Sequence, residues 1–193
     1  MSGVKKFDVE AVLDRVTELF RQKGFVAASL QDLEKVTGLG RGSLYNAFGD
    51  KHALYVSVLE RSLRDSEAKL RAMLRGAPTA LEGIQLVLRT SAVRCCSTKK
   101  YAGCFLGNAT SERANCDGDV ESMLGQAFRG QVAIFKEQLV RAQGEGDFSS
   151  HRDAESTARC LVVGLQGMSL LAKIPANQDL LNGIAEEILR VLH

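Results

Sequence analysis

The densest run of side chains suited to recognition is Arg41-Gly42-Ser43-Leu44-Tyr45-Asn46, with Lys51 five residues further on. A guanidinium such as that of Arg41 can hydrogen-bond the O6 and N7 edge of guanine bidentately, which makes Arg41 the leading base-reading candidate. The hydroxyls of Ser43 and Tyr45 suit phosphate oxygens. Gly42 has no side chain and permits close approach of a partner, and Asn46 shares the same outward run. Lys51 stands at an expected helix start, where free N–H groups and the helix dipole already favour an anion. Ser29 and Thr37, just upstream, are further candidates for contacts to a nucleic-acid backbone.

A second chemical feature is the set of five cysteines, Cys95, Cys96, Cys104, Cys116 and Cys160. An odd number argues against a fully paired disulfide framework, and in the cytoplasmic setting expected here the thiols rest reduced. Cys104 follows Gly103 at an expected helix start, with Lys99 and Lys100 close by in sequence. Both conditions lower a thiol pKa and raise its reactivity. The competing reading of Cys104 is a packed, inert thiol, since most buried cysteines behave as small hydrophobes. Cys160 lies in an apolar run and is expected in the core. No CxxC pair occurs, and the histidines are His52, His151 and His193, so neither a metal site nor a cofactor is expected. His52 is expected at the surface. A thiol-dependent redox enzyme using Cys104 is a remote alternative, because CxxC spacing, a Ser/His/Asp arrangement and a phosphate-binding glycine loop are all missing.

The elements that must position these residues are helices. Val9, Val12, Leu13, Val16, Leu19 and Phe20 recur at steps of three and four and form one apolar stripe. Gly24 is the expected stop of that helix. Ser29 can cap a short helix over 30–37, Gly38-Leu39-Gly40 breaks it, and a third helix spans 41–48. Asp50 can cap a long fourth helix that runs to Arg75. Leu30, Leu33 and Val36 face inward from the second helix, and Leu44 and Phe48 anchor the third. Two short helices joined by a glycine-bearing turn make a helix-turn-helix, whose second helix enters a major groove. Further helical stretches are expected over 79–97, 104–114, 118–143, 153–173 and 178–192.

Composition agrees with a helical protein that buries a core: 45% of the 193 residues are hydrophobic and 25% charged. The formal net charge is only +2, and the first 55 residues hold eight Lys/Arg against seven Asp/Glu, so bulk charge does not announce a nucleic-acid partner. Lys5 and Lys6 could form a basic arm, though a frayed terminus is the competing reading. No run of 18 apolar residues and no leader-like segment occur, so no membrane association is expected.

The segment Ser29 to Leu54 resembles the TetR/AcrR family of bacterial repressors. The resemblance rests on Ser29, Thr37-Gly38-Leu39, Gly42-Ser43-Leu44-Tyr45, Phe48 and Lys51. Ala47 and Gly40 depart from the family pattern, which lightens the expected backbone clamp. The resemblance implies an all-α fold: a three-helix domain with the helix-turn-helix over 1–52, and a helical ligand-binding and dimerisation domain over 53–193. It implies a homodimer on a palindromic double-stranded DNA operator, released by a small-molecule inducer whose identity the sequence does not contain. By the same likeness the last two helices pair with their symmetry mates, through Ala154, Ala158, Leu161, Leu165, Ile184 and Ile188, with Gly164 and Gly167 allowing close approach. Inducer-contacting candidates are Cys104, Phe105, Met123, Phe128, Phe135 and Met168. The stretch from Gly103 through Cys104, Phe105, Glu112, Cys116 and Asp119 also resembles the electrophile- and oxidant-sensing branch of that family, which implies Cys104 as an alternative switch.

Overall fold

The computed structural model describes residues 7–96, 103–112, 118–174 and 178–192. Lys5, Lys6, Lys99, Lys100 and Cys116 lie outside the described residues.

Helix α1, Val9–Ala27, starts where Asp8 accepts the Ala11 N–H at 3.2 Å. Its apolar stripe buries Val12, Val16, Leu19 and Phe20. Gly24 does not stop it, as the sequence suggests. It kinks it, at φ 80° and ψ 172°, and one more turn follows. Helix α2, Leu30–Thr37, opens on a capping box: Ser29 accepts the Asp32 N–H while the Asp32 carboxylate accepts the Ser29 N–H. It closes on Gly38 at φ 71°, the left-handed conformation that glycine adopts without strain. Helix α3 spans Arg41–Phe48, and α4, Lys51–Arg75, is capped by Asp50. Then follow α5 (Ala80–Cys96), α6 (Phe105–Ser111), α7 (Gly118–Glu145), α8 (Ala154–Leu171) and α9 (Gln178–Leu189), with a terminal 3₁₀ turn over Arg190–Leu192. The described residues contain no strand.

Two buried clusters hold the chain. One joins α4, α5, α7, α8 and α9 through Leu74, Ile84, Leu88, Phe135, Leu161 and Leu181. The other joins α1 to α4 with α6 and the first turns of α7 through Phe20, Leu33, Leu44, Tyr55, Phe105 and Leu124. The second cluster crosses residue 52: the helix-turn-helix shares one core with α6 and the start of α7. Burying each large apolar side chain of this kind stabilises by about 1.5–3 kcal/mol. No described helix is long and apolar enough to cross a membrane.

Candidate functional site

The head is built around α3. Its inner side is anchored by Leu44, fully buried, and by Phe48, whose ring lies 6.1 Å from Phe7. That leaves Arg41, Gly42, Ser43 and Asn46 exposed on the outer side. Gly40 offers no side-chain cap to α3. The Glu34 carboxylate replaces it, accepting the Arg41 N–H at 2.8 Å and locking α3 to α2 across the turn. Sequence reasoning missed Glu34; the uncapped Gly40 was the available signal. A Cβ built on Gly42 would meet nothing within 4 Å among the described residues, so none of their contacts demands glycine there. The Arg41 guanidinium sits 5.4 Å from the Tyr45 ring centroid, which is half-buried. Lys51 holds its ammonium 4.6 Å from the Phe25 ring. Both cations are thus steadied by aromatic faces.

Thr37, Ser29 and His52 are each engaged within the chain. Thr37 is buried, its hydroxyl donating to the Leu33 carbonyl at 2.6 Å and accepting the Leu39 N–H at 3.2 Å. It braces the turn from inside and does not reach the outer surface. Ser29 is exposed, but its hydroxyl is engaged with Asp32. His52 is half-buried with its ring 6.0 Å from Phe25, because the kink at Gly24 swings Phe25 over the start of α4.

Asp32 ties the head to α1. The Lys23 ammonium at 2.6 Å, together with the Ser29 N–H and hydroxyl, holds its carboxyl well below the usual carboxylate range. A folded-state pKa depressed in this way stabilises above the unfolded pKa, and that contribution is lost as pH falls through the folded value.

Behind the head lies a cavity of about 790 Å³ among α6, α7 and α8, within the size range of small-molecule sites. Of the inducer-contacting candidates, Cys104 and Phe128 line it. Phe105, Met123, Phe135 and Met168 do not. Phe105 and Met123 belong to the core shared with the head, and Phe135 and Met168 to the other core. Apolar residues at helical spacing served packing in these four cases. The polar part of the lining was not foreseen: Asn108, Thr110, Gln166, Arg129 and Lys173. Cys104 is the half-buried N-cap residue of α6, and its backbone N–H donates to Ser169 Oγ at 2.8 Å.

Helix α6 is bonded directly to the kink in α1. The Asn108 side-chain amide donates to the Arg21 carbonyl at 3.0 Å. The Phe25 N–H donates to Glu112 Oε2 at 2.8 Å. Non-helical Gly24 leaves these backbone groups without helical partners, and α6 satisfies them. Asn108 both lines the cavity and holds α1.

The last two helices are apolar on two sides. Ala154, Ala158 and Leu161 are buried inside the chain, and Leu165, Ile184 and Ile188 pack against the same core. A Cβ on Gly164 would come within 2.6 Å of Ile188, so this glycine serves the α8–α9 contact within one chain. Of the residues expected to pair between chains, Ala154, Ala158 and Leu161 are thus covered within one chain, while Leu165, Ile184 and Ile188 remain half-buried. The stripe left most exposed is Val163 and Leu170 of α8, which also line the cavity, with Ile174 just beyond α8 and Leu180 on α9; the first three are 59%, 60% and 62% exposed. Cys160 is also exposed on α8 and is not core.

Two family models match the chain: "Bacterial regulatory proteins, tetR family" over residues 12–58, and "Tetracyclin repressor-like, C-terminal domain" over residues 88–187. The HTH-type transcriptional repressor ComR of Escherichia coli K12 is 31% identical over 188 residues, covering 97% of this chain and 90% of that protein. The HTH-type transcriptional repressor NemR of the same strain is 24% identical over 166 residues, 86% of this chain and 83% of that one. Among solved structures, a cysteine mutant of the TetR family transcriptional regulator CifR, complexed with a 26-base-pair operator, superposes with a TM-score of 0.87 at 27% identity over the whole of both chains.

Proposed function

The chain belongs to the tetR family of bacterial regulatory proteins, and from that membership we propose that it is a dimeric repressor released from its operator when a small molecule fills the cavity behind α6. It is a DNA-binding transcriptional regulator. The observation that carries the assignment of its reader is the outer side of α3, where Arg41, Gly42, Ser43 and Asn46 stand exposed on a helix locked in place by Glu34.

Arg41 reads a guanine, Ser43, Tyr45 and Lys51 hold phosphates, and Gly42 lets the DNA come close. Arg41→Ala is expected to weaken operator binding by roughly 1–3 kcal/mol and to relax choice at one base pair per half-site. Gel shifts at two salt concentrations, on an operator found by footprinting and on unrelated DNA, measure both effects. Unchanged affinity and unchanged specificity together would overturn Arg41 as the base reader.

Two copies pair through the outer stripe of α8 and α9, since apolar side chains there remain uncovered after the chain has buried its own core. The two recognition helices must then lie about 34–36 Å apart on DNA. Release follows from the bonds of α6 to α1. An occupant that displaces Asn108 or shifts α6 loosens the hold of Asn108 and Glu112 on the α1 kink, and α1 carries the head. The ligand acts to the extent that it prefers the released state.

A second reading has an observation of its own: Cys104 is half-buried and lines the same cavity. Its sulfur can add to an electrophilic carbon, giving up the thiol proton to the adduct, and the added volume would press on α6 where it starts. DNA titrations of wild type and Cys104→Ser with and without a soluble electrophile decide the matter. The thiol switch predicts loss of affinity in wild type alone. Full affinity with Cys104 fully modified by mass spectrometry leaves the noncovalent reading.

A further inference from the structure

Among the described residues, two cations on the cavity wall have no anion of their own. Arg129, on α7, lies back over Gly125, where a Cβ would sit 3.2 Å from its guanidinium. Lys173, two residues beyond the end of α8, lays its stem across Gly103 ahead of α6, where a Cβ would sit 2.6 Å from its Cε. Both line the cavity, and neither joins an ion pair among the described residues, while the other arginines of α7 and α8, Arg141 and Arg159, are each paired with a carboxylate. Glu121 is the one carboxylate of the lining among the described residues, and it already has a partner. The rest of the wall is mostly apolar, with Leu106, Leu124 and Phe128. Gln166 adds a polar group with an unmet bond: its Nε2 donates to Gln131 at 3.3 Å, and its buried Oε1 has no partner among the described residues.

An apolar cavity with unpaired cations selects by charge. A carboxylate brought to Arg129 or Lys173 forms charge-assisted hydrogen bonds, stronger than neutral ones. A neutral molecule of the same shape gains only the apolar contact, and a cation is repelled. We propose that the effector of this chain is an amphipathic anion, with an apolar body against Leu106, Leu124 and Phe128 and an anionic head answered by Arg129 and Lys173. The assignment rests on the reading of the chain as an effector-released regulator and specifies the chemical class of that effector.

The test uses three probes with the same tail, namely decanoate, 1-decanol and decyltrimethylammonium. Each is titrated calorimetrically into the full chain and, separately, into the chain on fluorescent operator DNA. Decanoate is expected to bind at least about tenfold more tightly than 1-decanol, the worth of one charge-assisted bond, and the ammonium not at all. The Arg129→Ala/Lys173→Ala double variant should lose the preference for decanoate while keeping its affinity for 1-decanol. Both residues are exposed, so the fold tolerates the change, and Arg129→Glu gives an independent check by admitting the ammonium. Equal binding of alcohol and acid, binding of no probe at millimolar concentration, or an unchanged preference in the double variant overturns the proposal. Decanoate that binds selectively yet leaves the operator occupied supports the ligand class and overturns release. A chain that binds no DNA overturns the regulator reading, and the calorimetric preference still decides the ligand class.

Discussion

Tyr55→Ala is expected to lower the unfolding free energy by about 3–5 kcal/mol, the range for deleting a large buried aromatic side chain. Tyr55 is 2% exposed and sits on α4 between α1 and α6. Its ring lies 5.1 Å from Phe20, 4.8 Å from Phe25 and 5.9 Å from Phe105. Each such pair adds about 0.5–1.5 kcal/mol beyond the area it buries. Truncation leaves a void where the head, the long connecting helix and α6 meet, and close-packed neighbours relax into it only in part. Tyr55→Phe keeps all three ring contacts and separates the hydroxyl from the ring. Denaturant unfolding of both variants measures the difference. A loss below about 1 kcal/mol for Tyr55→Ala would show that the junction repacks.

Gly24→Ala is expected to destabilise by about 2–5 kcal/mol, the opposite of what helix propensity implies. In an ordinary helix the exchange gains close to 1 kcal/mol. Here φ is 80° and ψ 172°, a region that side-chain-bearing residues enter only at about 1–3 kcal/mol. The new Cβ would also fall 1.6 Å from Glu112 Oε1. The carboxylate must leave, and the Phe25 N–H loses a charged acceptor worth about 1.5–3 kcal/mol. Thermal unfolding of Gly24→Ala, Glu112→Ala and the double variant closes a cycle. The steric and hydrogen-bond part should shrink in the double variant and the backbone part should remain. A stabilised Gly24→Ala would mean that α1 straightens and that the bond to α6 is not needed. Operator binding of the same variants reports whether that bond transmits the state of the cavity.

The helix-turn-helix was legible because its signals are local. Ser29 with Asp32, Gly38, the spacing of Leu33, Leu44 and Phe48, and Asp50 act within a few residues of themselves, and α2 and α3 begin and end where the sequence places them. The cavity was less legible. Phe135 and Met168 have the same periodicity and chemistry as true lining residues, and periodicity states that a side chain faces inward without stating what it meets there. Lys173 and Arg129 carried no signal, since a lone cation on a helix is ordinarily a solvated charge.

Gly24 and α8 show where local information ends. By itself the sequence determined nine helices among the described residues, the caps at Ser29, Gly38 and Asp50, and the apolar stripe of α1. Those follow from hydrogen bonds and rotamer sterics that span four or five positions. Only the tertiary structure decided that Gly24 bends α1 rather than ending it, because the groups that bond the freed Arg21 carbonyl and Phe25 N–H belong to Asn108 and Glu112, each 87 residues from its partner. The tertiary structure likewise decided which side of α8 faces home. Ala154, Ala158 and Leu161 on one side and Val163 and Leu170 on the other are both apolar, and the choice between them was made by α7 and α9, which cover the first and leave the second largely exposed. Burial depends on what arrives from elsewhere in the chain, and a stripe of apolar residues carries no record of its partner.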